Sequence, residues 1–314
     1  MSNYLITGGA GFIGSHIATA LVERGDRVRV LDNLSTGKRA NLAHLQGKVE
    51  LVEGDLQDRA AVERALEGVE IVFHQAALAS VPRSVAAPLD TNATCVTGTV
   101  NLLDAARQAG VKRLVYAGSS SIYGDRTAEA AKFESDLPDP VSPYAAAKAA
   151  GELYCQSFFA TYGFPTVTVR YFNVFGPRQD PNGEYAAVIP KFVIKMLAGE
   201  RPTIFGDGKQ SRDFTYVENI VAGNLLAAGV PDAVGKTFNI ACGEKLDLLD
   251  LIAAINRALG TKIEPIFEPP RAGDVRDSLA DISQAQKVLR YKPVVDFDEG
   301  LRRSVEYYRA LATK

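Results

Sequence analysis

The chain has no tryptophan, two methionines, three cysteines and three histidines among 314 residues. Each scarcity narrows what it can be. Cys95, Cys155 and Cys242 stand alone, outside any metal-ligand spacing, and an odd count does not make a secreted disulfide framework. Reduced, buried thiols are expected. His16, His44 and His74 are equally scattered, so no protein-bound metal is expected. No apolar run reaches the ~18–20 residues of a membrane helix. Met1-Ser2-Asn3 leads into a strand without the basic and apolar regions of a signal peptide. The expectation is an untargeted, cytoplasmic protein with no membrane partner. An excess of one charge is missing too: charged residues make up 23% and the net charge is -2, which provides no electrostatic footprint for nucleic acid.

What is present is a rhythm. Tyr4–Thr7, Arg27–Leu31, Val49–Val52, Ile71–His74, Arg113–Ala117 and Thr166–Tyr171 read as strands. Between them, Phe12–Arg24, Ala60–Leu66, Thr91–Ala109 and Pro143–Tyr162 carry apolar residues at helical spacing. Such alternation predicts βαβ units and a doubly wound parallel α/β sheet of the Rossmann type. After Phe172, Gly/Pro-rich turns separate shorter elements, which predicts a smaller interleaved α/β lobe. Tyr216–Gly229 and Thr237–Ile240 read as a return to the first domain. The expected division is residues 1–175 plus about 215–240 for the dinucleotide domain, and about 176–214 plus 241–314 for the substrate lobe.

Directly after the first strand, Gly8, Gly11 and Gly14 precede a helix that opens with Phe12 and Ile13. Glycine allows a tight turn and close backbone approach to a pyrophosphate, and the helix N-terminus offers free N–H groups to the anion. The placement in a βαβ unit is what gives the motif weight. Asp32, ending the second strand, suits the ribose hydroxyls of NAD and would repel the 2′-phosphate of NADP. Asn33, Ser35 and Gly37 follow it in the same loop. The flanking Lys38 and Arg39 would suit a phosphate, but such a pair also reads as plain solvated charge. Asp55 and Leu56 after the third strand, and Gln75, Ala76 and Ala77 after the fourth, complete the expected cofactor surface.

Tyr144 and Lys148 stand at i and i+4, on one helix face. A neighbouring cation stabilises a phenolate and brings its pKa toward the working range, so Lys148 is expected to pull the Tyr144 phenol down as well as orient NAD. Ser119, Ser120 and Ser121 fall at the carboxyl edge of the sheet, where open α/β proteins bind ligands. One of their hydroxyls can bridge a substrate hydroxyl and the tyrosine.

Together these elements resemble the extended short-chain dehydrogenase/reductase family and its NAD-dependent epimerase/dehydratase members, along nearly the whole chain. The stretches 74–84, Arg170-Tyr171-Phe172-Asn173-Val174-Phe175-Gly176 and 180–190 are similar to the UDP-hexose 4-epimerases, particularly those for N-acetylated sugars. The resemblance makes Ser119, four residues before Tyr123-Gly124, the catalytic serine, and leaves Ser120 and Ser121 as substrate contacts. It further implies that Asn173 holds a diphosphate oxygen, that Ala187 and Val188 line the nucleotide pocket, and that Phe205 lies beside uracil. Arg212 and Arg271 would clamp the diphosphate, Asp274 would bind the uridine ribose, and Ser80 would lie near the hexose. Ser278 would face the sugar C2 substituent, where a small residue leaves room for an N-acetyl group. The reaction so implied interconverts UDP-GlcNAc and UDP-GalNAc, with UDP-glucose and UDP-galactose as further substrates, in a homodimer built on helices Thr91–Ala109 and Pro143–Tyr162. A UDP-glucuronate 4-epimerase or decarboxylase stays open, with Arg83 as the candidate for a C6 carboxylate, as does a non-catalytic NAD-sensing scaffold. A 4,6-dehydratase is disfavoured because Ser120 and Ser121 occupy the places of its acid pair.

Overall fold

The computed structural model describes residues 2–125, 131–181, 187–270 and 276–312. The first half runs β1 (Asn3–Thr7), α1 (Phe12–Glu23), β2 (Arg27–Asp32), β3 (Val49–Glu53), α2 (Arg59–Leu66), β4 (Ile71–His74), α3 (Val81–Ala86), α4 (Pro88–Asn92), α5 (Gly98–Gln108), β5 (Arg113–Ser119), α6 (Pro143–Tyr162) and β6 (Thr166–Tyr171). The second half runs β7 (Val174–Phe175), α7 (Val188–Leu197), β8 (Thr203–Phe205), β9 (Ser211–Arg212), β10 (Thr215–Tyr216), α8 (Val217–Gly229), β11 (Thr237–Ile240), β12 (Leu246–Asp247), α9 (Leu248–Leu259), β13 (Ile266–Glu268), β14 (Asp277–Ser278) and α10 (Phe297–Ala312).

Seven strands form one parallel sheet in the order β11-β6-β5-β4-β1-β2-β3. The order reverses between β1 and β4, which is the switch point where doubly wound sheets take ligands. Its strands are continuous β-branched and aromatic runs because both faces are covered: all six residues of Thr166–Tyr171 are buried. Two apolar clusters sandwich this sheet, one around Ile17, Phe73 and Phe238 and the other around Leu5, Leu102 and Tyr116. A third core around Phe192, Leu251 and Tyr308 belongs to the later, shorter elements. Among the described residues no helix is long and apolar enough to cross a membrane.

Two local differences from the sequence reading bear on function. First, β5 continues two residues past Ala117, so Ser119 ends the strand rather than lying in the loop beyond it. Second, the expected helix Thr91–Ala109 is interrupted: a π turn at Ala93–Thr97 joins α4 to α5. Such turns are frequent at functional sites. Helix α6 matches the expectation at both ends. Ser142 accepts from the Ala145 N–H at 3.2 Å, Pro143 opens the helix, and Gly163 closes it at φ +65°. Within it Gly151 lets the helix lie directly on β5, since a Cβ there would stand 2.2 Å from the Tyr116 hydroxyl.

Candidate active site

The loop after β1 and the strand ends beside it enclose a cavity of about 240 Å³ lined by Gly8, Gly11, Asp32, Asp55, Gln75, Tyr144 and Lys148. The three glycines have different jobs. A Cβ on Gly8 would lie 2.6 Å from the Ala76 nitrogen, and one on Gly14 would lie 2.3 Å from the Gly8 carbonyl, so both are demanded by backbone packing. A Cβ on Gly11 would meet only the Gly8 oxygen, at 3.1 Å. Gly11 caps α1 without any side chain, and no acidic residue occupies the first turn, so an anion can reach these N–H groups. The Asp32 carboxylate accepts from Ala10 N at 2.9 Å and Leu34 N at 2.8 Å, and burial raises its pKa against those bonds. A Cβ on Gly37 would stand 2.8 Å from both Asp32 oxygens. Lys38 pairs with Asp180 at 2.6 Å and Arg39 with Glu53, so both basic residues already have anionic partners. Phe12, Ile13, Gly14, Asn33, Ser35, Gly37, Leu56, Ala76 and Ala77 line the same cleft, as the sequence suggested. Thr94, supplied by the π turn, and Tyr171, at the end of β6, join them; neither was among the expected cofactor residues.

Tyr144 and Lys148 enter this cleft from α6. Ser119 lies beside the Tyr144 phenol and draws its pKa down. Ser119 also meets the Ser121 hydroxyl at 2.8 Å and accepts from Ser121 N at 3.2 Å. Of the three serines, Ser119 is the one that acts on the tyrosine. Ser84 fixes the start of the helix by accepting from Tyr144 N at 3.0 Å. The expected electrostatics are corrected here. Burial pushes the Tyr144 phenol up to about 12, with Ser119 pulling the other way. Lys148 does not reverse this, because its own ammonium is buried, depressed in pKa and bonded to the Ala117 carbonyl at 2.9 Å. Desolvation outweighs a cation already committed to another oxygen.

A second cavity, about 460 Å³, is lined by Asn173, Ala187, Val188, Phe205 and Arg212, five of the residues expected on the nucleotide side. Lys191, Lys195 and Gln210 also line it and were missed, since isolated polar residues carry no motif. Asp213 does not neutralise Arg212 through its carboxylate; that group turns to Cys242 N at 3.0 Å and Gly243 N at 2.9 Å. Ser278 is the register partner of Arg212 across β14 and β9, so the two side chains share one face of that small sheet. Ser80 caps α3 through Arg83 N, and Ser80, Ser120 and Ser121 line neither cavity. Arg271 and Asp274 lie outside the described residues. No group of three or more His, Cys, Asp or Glu among the described residues is placed to hold a metal.

A switch-point cleft with a glycine cradle, an aspartate at the end of β2 and a Tyr–Lys helix together define a dinucleotide-dependent enzyme. The model of the NAD dependent epimerase/dehydratase family matches residues 4–241, and the chain belongs to that family. It is 41% identical to a UDP-glucose 4-epimerase of Mycolicibacterium smegmatis over 97% of this chain and 98% of that protein. The structure superposes at a TM-score of 0.94 and 43% identity on the UDP-N-acetylglucosamine 4-epimerase of Methanobrevibacter ruminantium, solved with UDP-N-acetylmuramic acid, covering 99% of both chains. At a TM-score of 0.89 and 38% identity it matches the UDP-glucose 4-epimerase of Thermus thermophilus in complex with NAD, covering 98% of this chain and 99% of that one. NAD is the cofactor, and the cradle at Gly11 and the carboxylate at Asp32 fit its pyrophosphate and its unphosphorylated ribose.

Proposed function

We propose that this chain is an NAD-dependent UDP-sugar 4-epimerase that interconverts UDP-GlcNAc and UDP-GalNAc and also accepts UDP-glucose and UDP-galactose. The observation that carries the reading is the placement of Tyr144 and Lys148 in the dinucleotide cleft, with Ser119 beside the phenol. A phenol and a hydroxyl side by side at the carboxyl edge of the sheet form a relay able to take a proton from a sugar hydroxyl and return it. Bound NAD supplies a hydride acceptor, and then a hydride donor, at the same sugar carbon. Lys148, fixed by the Ala117 carbonyl, would meet the nicotinamide ribose. Arg212 and Asn173, with Arg271, would hold the diphosphate while the hexose turns over as its 4-keto form. Planar guanidinium groups suit that contact.

The preference for an N-acetylated sugar rests on Ser278. It is a small residue beside Arg212 in register, and in this reading it leaves space at sugar C2. In this reading the dinucleotide domain is residues 1–175 plus about 215–240, with the remainder forming the nucleotide-sugar lobe; the core around Phe192, Leu251 and Tyr308 supports such a lobe and is shared with Phe175, Tyr216 and Val217 of the first domain. Leu153, Tyr154, Phe159 and Tyr162 on α6, with Val85 and Leu89 nearby, remain exposed and support a homodimer. The test is an assay of the purified protein with NAD and each of UDP-GlcNAc, UDP-glucose and UDP-glucuronate. Conversion of UDP-GlcNAc is expected. Turnover of UDP-glucuronate alone would transfer the assignment to the C6-carboxylate enzymes.

A further inference from the structure

The relay needs Ser119 and Tyr144 at a fixed separation, yet they arrive on different elements: Ser119 at the end of β5 and Tyr144 at the start of α6. Behind them runs a buried polar network that no step above uses. Glu152 lies two turns after Tyr144 and one turn after Lys148 on α6, with 3% of its surface exposed. Arg170 of β6, also 3% exposed, donates through Nε to Glu152 Oε2 at 3.0 Å and through Nη2 to Oε1 at 2.6 Å. Its third nitrogen, Nη1, donates to the Tyr123 oxygen at 2.6 Å. The Tyr123 hydroxyl then donates to Asn239 Oδ1 at 2.6 Å. Asn239 closes on the Lys132 and Asp281 carbonyls, at 2.9 Å and 3.1 Å. Tyr123 ends the 3-10 turn that Ser119 caps.

These contacts tie the two elements together. From Ser119 the path runs along the turn to Tyr123, through Arg170 and Glu152 into α6, and along the helix to Tyr144, whose phenol lies beside Ser119. A buried ion pair is a poor source of net stability, since packed apolar groups of equal volume do as well or better. What it does supply is direction: a forked guanidinium holds a carboxylate and a phenol at set angles.

We propose that Tyr123, held by the Arg170–Glu152 pair, is a positioning residue that sets the Ser119 hydroxyl against Tyr144. The inference rests on the relay assigned to Ser119 and Tyr144 in the proposed function. Tyr123→Phe removes one hydroxyl and keeps the ring, so the fold should survive. A displacement of about 1 Å at a reacting group can cost up to about 100-fold in rate, and a partial shift predicts a loss of roughly tenfold. The test combines the crystal structure of the NAD-loaded variant with steady-state kinetics on UDP-GlcNAc and UDP-glucose. Expected are a Ser119–Tyr144 separation larger than in the wild type and a kcat about tenfold lower, with KM unchanged. Arg170→Lys, which keeps the charge and loses the fork, should show the same displacement and the same loss. A Tyr123→Phe protein with the wild-type Ser119–Tyr144 separation and wild-type kcat, altered only in Tm, would overturn the proposal. Absence of epimerisation by the wild type would sink the functional reading instead. The crystallographic separation would then still decide whether Tyr123 positions Ser119.

Discussion

Gly11 and Gly14 belong to one motif, yet the geometry assigns opposite outcomes to adding a methyl at each. At Gly14 the new Cβ would lie 2.3 Å from the Gly8 oxygen and 2.8 Å from the Gly9 Cα. Both atoms are main chain, so relief requires moving α1 relative to the turn. Overpacking of that kind costs about 1–3 kcal/mol, a fall in Tm of several degrees in a protein of this size. At Gly11 the backbone already sits at φ -76°, ψ -177°, which alanine adopts freely, and the one close neighbour at 3.1 Å needs only a few tenths of an ångström of relief. The fold should barely register Gly11→Ala. The cleft should, because the methyl stands where the pyrophosphate must approach the α1 N-terminus. Losing one or two charge-assisted contacts, each about 1.5–3 kcal/mol, weakens NAD by roughly 10- to 100-fold or more. Calorimetric NAD titration alongside thermal unfolding separates the two effects. Wild-type NAD affinity in Gly11→Ala, or an unchanged Tm in Gly14→Ala, would refute this division of labour.

Tyr144→Phe should lower kcat by at least about 100-fold, the contribution of a positioned acid–base group, while calorimetry shows NAD binding retained; an NAD sensor would lose nothing it uses. With the buried phenol held up to about 12, the ionised base is scarce at neutral pH, so kcat should climb as pH rises through the mildly alkaline range. Ultraviolet difference titration should find a tyrosine near that value in NAD-free protein, shifted downward once a cationic nicotinamide is bound; a Tyr144 titrating below 9 in the NAD-free protein would contradict the dominance of burial. Ser278→Tyr should cut kcat/KM for UDP-GlcNAc by tenfold or more, as excluding an acetyl-sized group costs about 1–3 kcal/mol, and spare UDP-glucose. Equal losses on both substrates would remove Ser278 from the sugar site.

Much of the sheet and the cofactor cleft was legible because those signals are local. Gly8, Gly11 and Gly14 sit within seven consecutive residues, Tyr144 and Lys148 one turn apart, and the strands Ile71–His74 and Thr166–Tyr171 end where the pattern ends. What escaped depends on distant parts of the chain. Ser84 reaches Tyr144 across 60 residues, Thr94 enters the cleft only because of a π turn, and Glu152 finds Arg170 between a helix and a strand. The Tyr144 ionisation was misjudged for a related reason: spacing reveals that a cation is near, but desolvation depends on everything packed around the ring. Ser119 was singled out among the three serines by the resemblance and not by a local pattern; that β5 runs on to it was not legible, because strand ends are poorly marked in sequence.

Under the proposed function, the pairing of Ser278 with Arg212 ties two traits that natural selection or an engineer would prefer to adjust separately. Side chains at facing positions of adjacent strands press on one another, so a larger residue at 278, chosen to narrow the range of sugars, also leans on the arginine assigned to the phosphates. Variants tuned for one hexose should therefore drift in their hold on every UDP-linked donor, including ones whose sugar never meets position 278. Restoring that hold would call for a compensating change at the neighbouring strand, and the two positions should be varied as a unit.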